Sequence, residues 1–200
     1  MPRAWSEQEK AMIRATLQRE GRKLFEKYGL QKTTIDEIVQ AARISKGAFY
    51  VFYPSKEELY FDILEALETE FRNKLFADLS QPGLGKKERF QTFLRQFLDL
   101  LVSVPIYAQL KTSDYQYLMR KLPREKVEKH MQRDLSDLSH YFEQWIEQGW
   151  LKKVELAALQ GLFLSLFYFV IHRDDYSDID FQQTKELWID MISDYLVTEE

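Results

Sequence analysis

Apolar residues recur every three to four positions along almost the whole chain, and this spacing predicts helix after helix. From Ser6 to Tyr28 the stripe is Ile13, Leu17, Leu24, Phe25 and Tyr28, and Gly29 supplies a stop. "TTIDEIVQAA" opens on a capping box, Thr34 with Glu37, and turns Ile35, Ile38 and Val39 inward. "ISKGAFYVF" predicts a very short third helix with Ser45 as N-cap, ended by Pro54 because proline disfavours α geometry in the residue before it. Ser55 and Glu58 form a second capping box, and a fourth helix runs through Leu59, Ile63, Leu67 and Phe71 to about Leu79. "SQPGLGKK" (80–87) is the clearest break. Beyond it the pattern gives helices over 88–104, 105–122, 123–148, 154–173 and 181–197, the last two separated by the acidic loop "DDYSDID". No alternating strand pattern of useful length appears. The expected fold is all-α with about nine helices: a three-helix N-terminal domain over 1–54 and a helical bundle over 55–200.

Composition narrows the chemistry. At 200 residues and 24.0 kDa the chain can bury a real core. It has no cysteine, which excludes disulfides and thiolate chemistry. The longest apolar run, "LAALQGLFLSLFYFVI" (156–171), falls short of the roughly 20 residues a membrane span needs. The N-terminus has no apolar leader, so the expectation is a cytoplasmic protein with no membrane association. The net charge of −4 is unevenly spread: residues 1–60 carry 11 Lys and Arg against 8 Asp and Glu, and the remainder is acidic. Such a division suits a protein that meets a polyanion at one end.

The residues of "ARISKGAFYVFYPSKEEL" (42–59) are poor core material, and a groove-binding role accounts for them. Two short helices joined by a tight turn, packed on a longer one, make a helix-turn-helix. Its second helix must be slim and exposed to enter a major groove about 12 Å wide. Ser45, Lys46, Gly47 and Ala48 would form its first turn: Lys46 reaches base acceptors or a phosphate, Gly47 lets the backbone approach, and Ala48 can pack on a thymine methyl. Tyr50 and Tyr53 can donate to phosphate, and Lys56 with the amides opening the fourth helix suggests an anion site; Thr34 can act from the other side. The plainer alternative is a helical hairpin with a polar surface, its tyrosines half-buried and Lys56 a solvated charge.

Residues 24–60, "LFEKYGLQKTTIDEIVQAARISKGAFYVFYPSKEELY", resemble the N-terminal DNA-binding domain of TetR-family transcriptional regulators. The marks are Phe25, Gly29, Thr34, Ile38, Ala42, Ser45, Lys46, Gly47, Tyr50, Tyr53, Lys56 and Leu59, in order and without a gap. The resemblance implies a homodimer that binds a double-stranded DNA operator with half-sites about one helical turn apart. It also implies a C-terminal domain that holds a small-molecule effector. Thr34, Lys46, Tyr50 and Lys56 would contact DNA, and Ser45 and Gly47 would shape the groove-facing turn. Three positions depart from the pattern. Arg43 stands where glycine is usual, at a cost of about 1 kcal/mol if its backbone is left-handed, though it could add a phosphate contact. Phe52 replaces a common His or Tyr. Gly21 replaces a usual Ala, losing up to about 1 kcal/mol of helix propensity unless close packing requires it.

In the C-terminal half, aromatics suggest a pocket for a flat or apolar effector, with Phe93, Phe97, Tyr107, Tyr115, Phe142 and Trp145 as candidate lining. Plain core packing is the competing account of the same residues. The helix 156–171 is apolar nearly all round, so it needs burial on more than one side. A dimer interface is expected through Leu159, Leu162, Phe163, Leu166, Phe167 and Val170, joined by Leu187, Trp188, Met191, Ile192 and Tyr195. Enzyme chemistry finds no foothold: His130, His140 and His172 lack metal-ligand spacing, no phosphate loop or nucleophile elbow is present, and no cofactor is expected. The reading is a ligand-responsive homodimeric DNA-binding regulator, most simply a repressor. Its rivals are a TetR-like scaffold acting through a protein partner, and a carrier or enzyme for a hydrophobic molecule.

Overall fold

The computed structural model describes residues 5–78, 83–108 and 112–198, and all but a few loops are helical. Among the described residues ten α-helices follow in order: α1 Glu7–Lys32, α2 Ile35–Ala42, α3 Lys46–Phe52, α4 Lys56–Asp78, α5 Lys86–Ser103, α6 Pro105–Ala108, α7 Thr112–Lys121, α8 Arg124–Glu147, α9 Leu156–Ile171 and α10 Phe181–Leu196. A short 3-10 helix, Arg173–Asp175, follows α9. The span 105–122, expected as one helix, contains α6 and α7, and part of the Gly/Pro-rich break lies outside the described residues. Among the described residues, the extended structure is a single antiparallel bridge, Leu151 with Val197.

The chain divides into two compact units. One comprises residues 1–70 and 108–122, the other 71–107 and 123–200.

In the first unit the predicted capping box of Thr34 with Glu37 forms. Ser6 makes a further one with Glu9. Gly29 leaves helical geometry at φ 77°, where the sequence places its stop, and a last turn to Lys32 follows the kink. A residue with a Cβ would be strained in that conformation. The core of the unit joins Leu17, Phe25 and Leu30 of α1, Ile38 of α2, Phe49 of α3, and Leu59, Tyr60 and Phe61 of α4. Gly21 is needed for packing: a Cβ there would stand 2.9 Å from Leu59 Cδ2, so the lost helix propensity lets α4 approach α1 closely.

In the second unit α5 packs against both α9 and α10, and α8 packs against α9. Phe90, Phe93, Phe97, Phe142, Trp145 and Phe163 form one aromatic cluster, with centroids 5.0 Å apart for Phe93–Trp145 and for Phe142–Phe163. The buried Lys185 carries its ammonium out to Asp99, 2.7 Å away, tying α10 to α5. The chain after α10 pairs back with the loop after α8, through Lys152 N to Leu196 O at 2.7 Å and Thr198 N to Trp150 O at 3.0 Å.

Gly21→Leu is expected to overpack the α1–α4 contact and to destabilise the protein by about 1–3 kcal/mol, read as a lower urea midpoint at unchanged slope. A midpoint within error of the wild type would mean that the contact yields without strain.

Candidate nucleic-acid interface

α2 and α3 meet through a three-residue turn whose geometry depends on Arg43. Its backbone is left-handed, at φ 57° and ψ 42°, as expected where the family pattern has glycine. Its amide donates to Gln40 O and Val39 O, and Ile44 N donates to Val39 O at 3.1 Å, which closes α2. Ser45 then caps α3, its Oγ accepting from Ala48 N at 3.1 Å.

The seven residues of α3 divide cleanly. Ala48 and Phe49 face inward, with Tyr53 just past the helix end. Lys46, Gly47, Tyr50 and Val51 face out, Tyr50 half exposed and Val51 still more so. Gly47 has open space beside it: an added Cβ would meet only Ser45 Oγ, at 3.9 Å. The fold itself therefore gives no reason for glycine at this position. Phe52 stacks on Trp5, with centroids 5.5 Å apart, which gives the apolar replacement a packing role.

Three side chains expected at this surface are buried or bonded within the protein. Ala48 is 8% exposed and turned into the helix-turn-helix, away from any thymine. Tyr53 is 3% exposed, and its hydroxyl donates to Asp62 Oδ2 at 2.6 Å while the Arg14 guanidinium lies over its ring. Burial and the Asp62 carboxylate push this phenol well above its ordinary range, so it stays a proton donor to Asp62. Lys56 is engaged within the protein. Its Nζ donates to Leu30 O, Gln31 O and Thr33 O at 2.8, 3.0 and 2.7 Å, capping the end of α1 with all three of its protons. Burial lowers its pKa from the usual lysine range.

Thr34 is exposed, but its hydroxyl already donates to Glu37 Oε2 at 2.8 Å and accepts from Glu37 N. The Thr34 amide, which also donates to Glu37 Oε2, and the Thr34 hydroxyl hold the Glu37 carboxyl below its ordinary range. Lys46 is held by Asp36, which raises its pKa. Asp36 and Val51 are two residues of this surface that sequence reasoning missed. The signal for Val51 was present, since it follows Gly47 by four positions and so shares its face.

Residues 19–63 match the sequence model of the bacterial regulatory proteins of the tetR family. The N-terminal helix-turn-helix is that of a TetR-family transcriptional regulator. The HTH-type transcriptional regulator YhgD of Bacillus subtilis is 25% identical over 156 residues, 74% of this chain and 77% of YhgD. YuxN of the same organism is 43% identical over 58 residues, 29% of this chain but only 18% of YuxN's length. Among solved structures, the reduced form of Escherichia coli NemR superposes with a TM-score of 0.68 at 20% identity, over 94% of this chain and 98% of NemR. The Bacillus halodurans fatty acid degradation regulator FadR gives 0.64 at 13%, over 96% and 95%. These superpositions show the fold; the DNA-binding assignment rests on the matched N-terminal residues.

Five of the six candidate effector residues pack within the second unit. Phe93, Phe142 and Trp145 are buried against one another, and Phe97 packs on Phe163 at 5.2 Å. Tyr107 packs on Phe167, and Tyr115 belongs to the first unit. A void of about 10 Å³ beside Phe90 and Trp145 has room for no more than a water.

The candidate dimer residues also separate. Leu159, Phe163, Leu166 and Val170 are buried within this chain, and Leu162, Phe167, Trp188 and Ile192 are half-buried. Leu187, Met191 and Tyr195 are exposed on α10. The exposed large apolar residues of α9 are Leu164 and Tyr168, near Gly161, none of them among the expected interface residues.

Lys56→Met keeps the aliphatic stem but removes three hydrogen bonds, and is expected to cost about 1–3 kcal/mol of stability in urea unfolding. A Lys56 that served only DNA would leave that unfolding curve in place.

Proposed function

We propose that this protein is a cytoplasmic, homodimeric, effector-responsive repressor, with residues 1–54 reading DNA and residues 55–200 binding the effector and dimerising. The observation that carries the reading is the outward half of α3. Lys46, Gly47, Tyr50 and Val51 are exposed together, and Gly47 meets no demand of the protein's own packing. A slim helix face with a cation, a hydroxyl and close backbone access suits a major groove. Ser45 serves as the cap that orients this face; Arg43 and Thr34 flank it, within reach of phosphate.

The second unit supports dimerisation through the free face of α9 and α10. Leu164, Tyr168, Leu187, Met191 and Tyr195 would be covered by the same residues of a second copy, an isologous contact. An apolar effector would have to part the aromatic cluster around Phe93, Phe142 and Trp145. It would release a palindromic operator only by its differential affinity for the two states of the dimer.

Selection from a random duplex pool is expected to enrich a palindrome with half-sites about 34–36 Å apart. Lys46→Ala should weaken binding to it by about tenfold or more and Tyr50→Phe by less, in anisotropy titrations. If a well-folded dimer enriches no sequence, the repressor reading fails in favour of a scaffold acting through a protein partner. Leu164→Glu with Tyr168→Glu is expected to give folded monomers by light scattering. Phe163→Ala, in contrast, should lower stability by about 3–5 kcal/mol.

A further inference from the structure

Asp36 lies in the first turn of α2, and its carboxylate crosses the helix-turn-helix to Lys46. Oδ1 is 2.9 Å and Oδ2 3.1 Å from Nζ. Both side chains are well exposed, 73% for Asp36 and 52% for Lys46. An exposed pair of this kind adds little to stability. The neighbouring carboxylate, Glu37, is turned back onto Thr34 N and Oγ1, both at 2.8 Å. The first turn of α2 thus places two negative charges beside the face proposed to meet DNA, and one of them holds the single lysine of α3.

The consequence differs between phosphate and base. Non-specific affinity arises when unpaired cations displace counterions from the DNA backbone. A lysine already neutralised by a carboxylate displaces few, and the carboxylate itself repels phosphate. A base edge is different. Guanine O6 and N7 are neutral acceptors, and an ammonium bonded to one carboxylate keeps a proton for them.

Resting on the repressor reading above, we infer that Asp36 is a positioning residue that sets the ratio of specific to non-specific DNA binding. It withholds Lys46 from phosphate and leaves it available to a base edge.

The test uses the full-length protein with Asp36→Asn, Asp36→Glu, Lys46→Gln and the Asp36→Asn/Lys46→Gln double variant. Each is titrated by anisotropy against the selected operator and a scrambled duplex, over a series of salt concentrations. Circular dichroism checks that every variant is folded, as the exposure of both positions leads one to expect. Asp36→Asn is expected to bind the scrambled duplex about threefold or more tightly at low salt, with the slope of log K against log salt steeper by about 0.9, one further phosphate contact. Its operator-to-scramble ratio falls by at least the same factor. Asp36→Glu, which keeps the charge, restores the ratio, and the added slope vanishes in the Lys46→Gln background.

The inference is overturned if Asp36→Asn strengthens both duplexes equally, or leaves the scrambled duplex unaffected, or if the added slope survives Lys46→Gln. Those outcomes leave the repressor reading intact, provided that the wild type prefers its operator. A wild type without any sequence preference removes both.

Discussion

A helix of seven residues cannot hold itself together in water, where isolated helices shorter than about 12–15 residues are marginal. α3 must therefore take its stability from what it buries. Phe49 is fully enclosed, Ala48 nearly so, and Tyr53 anchors the end through its bond to Asp62. What remains for a partner is the opposite half of the helix, and that half is narrow. The turn before it and the first turn of α4 after it serve the same end. Arg43 takes a left-handed backbone so that Ser45 can cap α3, and Lys56 binds the carbonyls at the end of α1.

The electrostatics of the first unit follow from this economy of parts. Several charges in the helix-turn-helix are engaged in holding the backbone: Glu37 on the cap of α2, and Lys56 on three carbonyls. The excess of positive charge in residues 1–60 is therefore a poor guide to which cations are available. Lys46 is available only in part, because Asp36 shares it. Specific recognition on such a surface depends on geometry at a few atoms more than on net charge.

The second unit meets a different constraint. α9 carries apolar side chains around its whole circumference, yet its neighbours in the chain cover only part of it. The bulky aromatics that look like pocket material fill the space beside α5 and α8, edge against face. Leu164 and Tyr168 on α9 and Leu187, Met191 and Tyr195 on α10 stay exposed among the described residues.

Helix positions, caps and the glycine stop were legible in the sequence because they depend on neighbours within a few residues: Thr34 with Glu37, Ser45 with Ala48, Gly29 with its own φ. The motif of residues 24–60 was legible for the same reason, being nearly continuous in the chain. Helix period alone could not assign the faces of α9, since a pattern apolar all round contains no direction. Nor could residue type separate a tyrosine that donates to phosphate from one that donates to Asp62, or a free lysine from one bound to three carbonyls. Those outcomes depend on groups 9 to 26 residues away, as with Tyr53 and Asp62, Lys46 and Asp36, or Lys56 and Leu30. The sequence by itself determined the local backbone and the family of this protein. Only the tertiary structure decided which polar atoms remained unspent at its surface, because burial and long-range partners are settled when the helices pack.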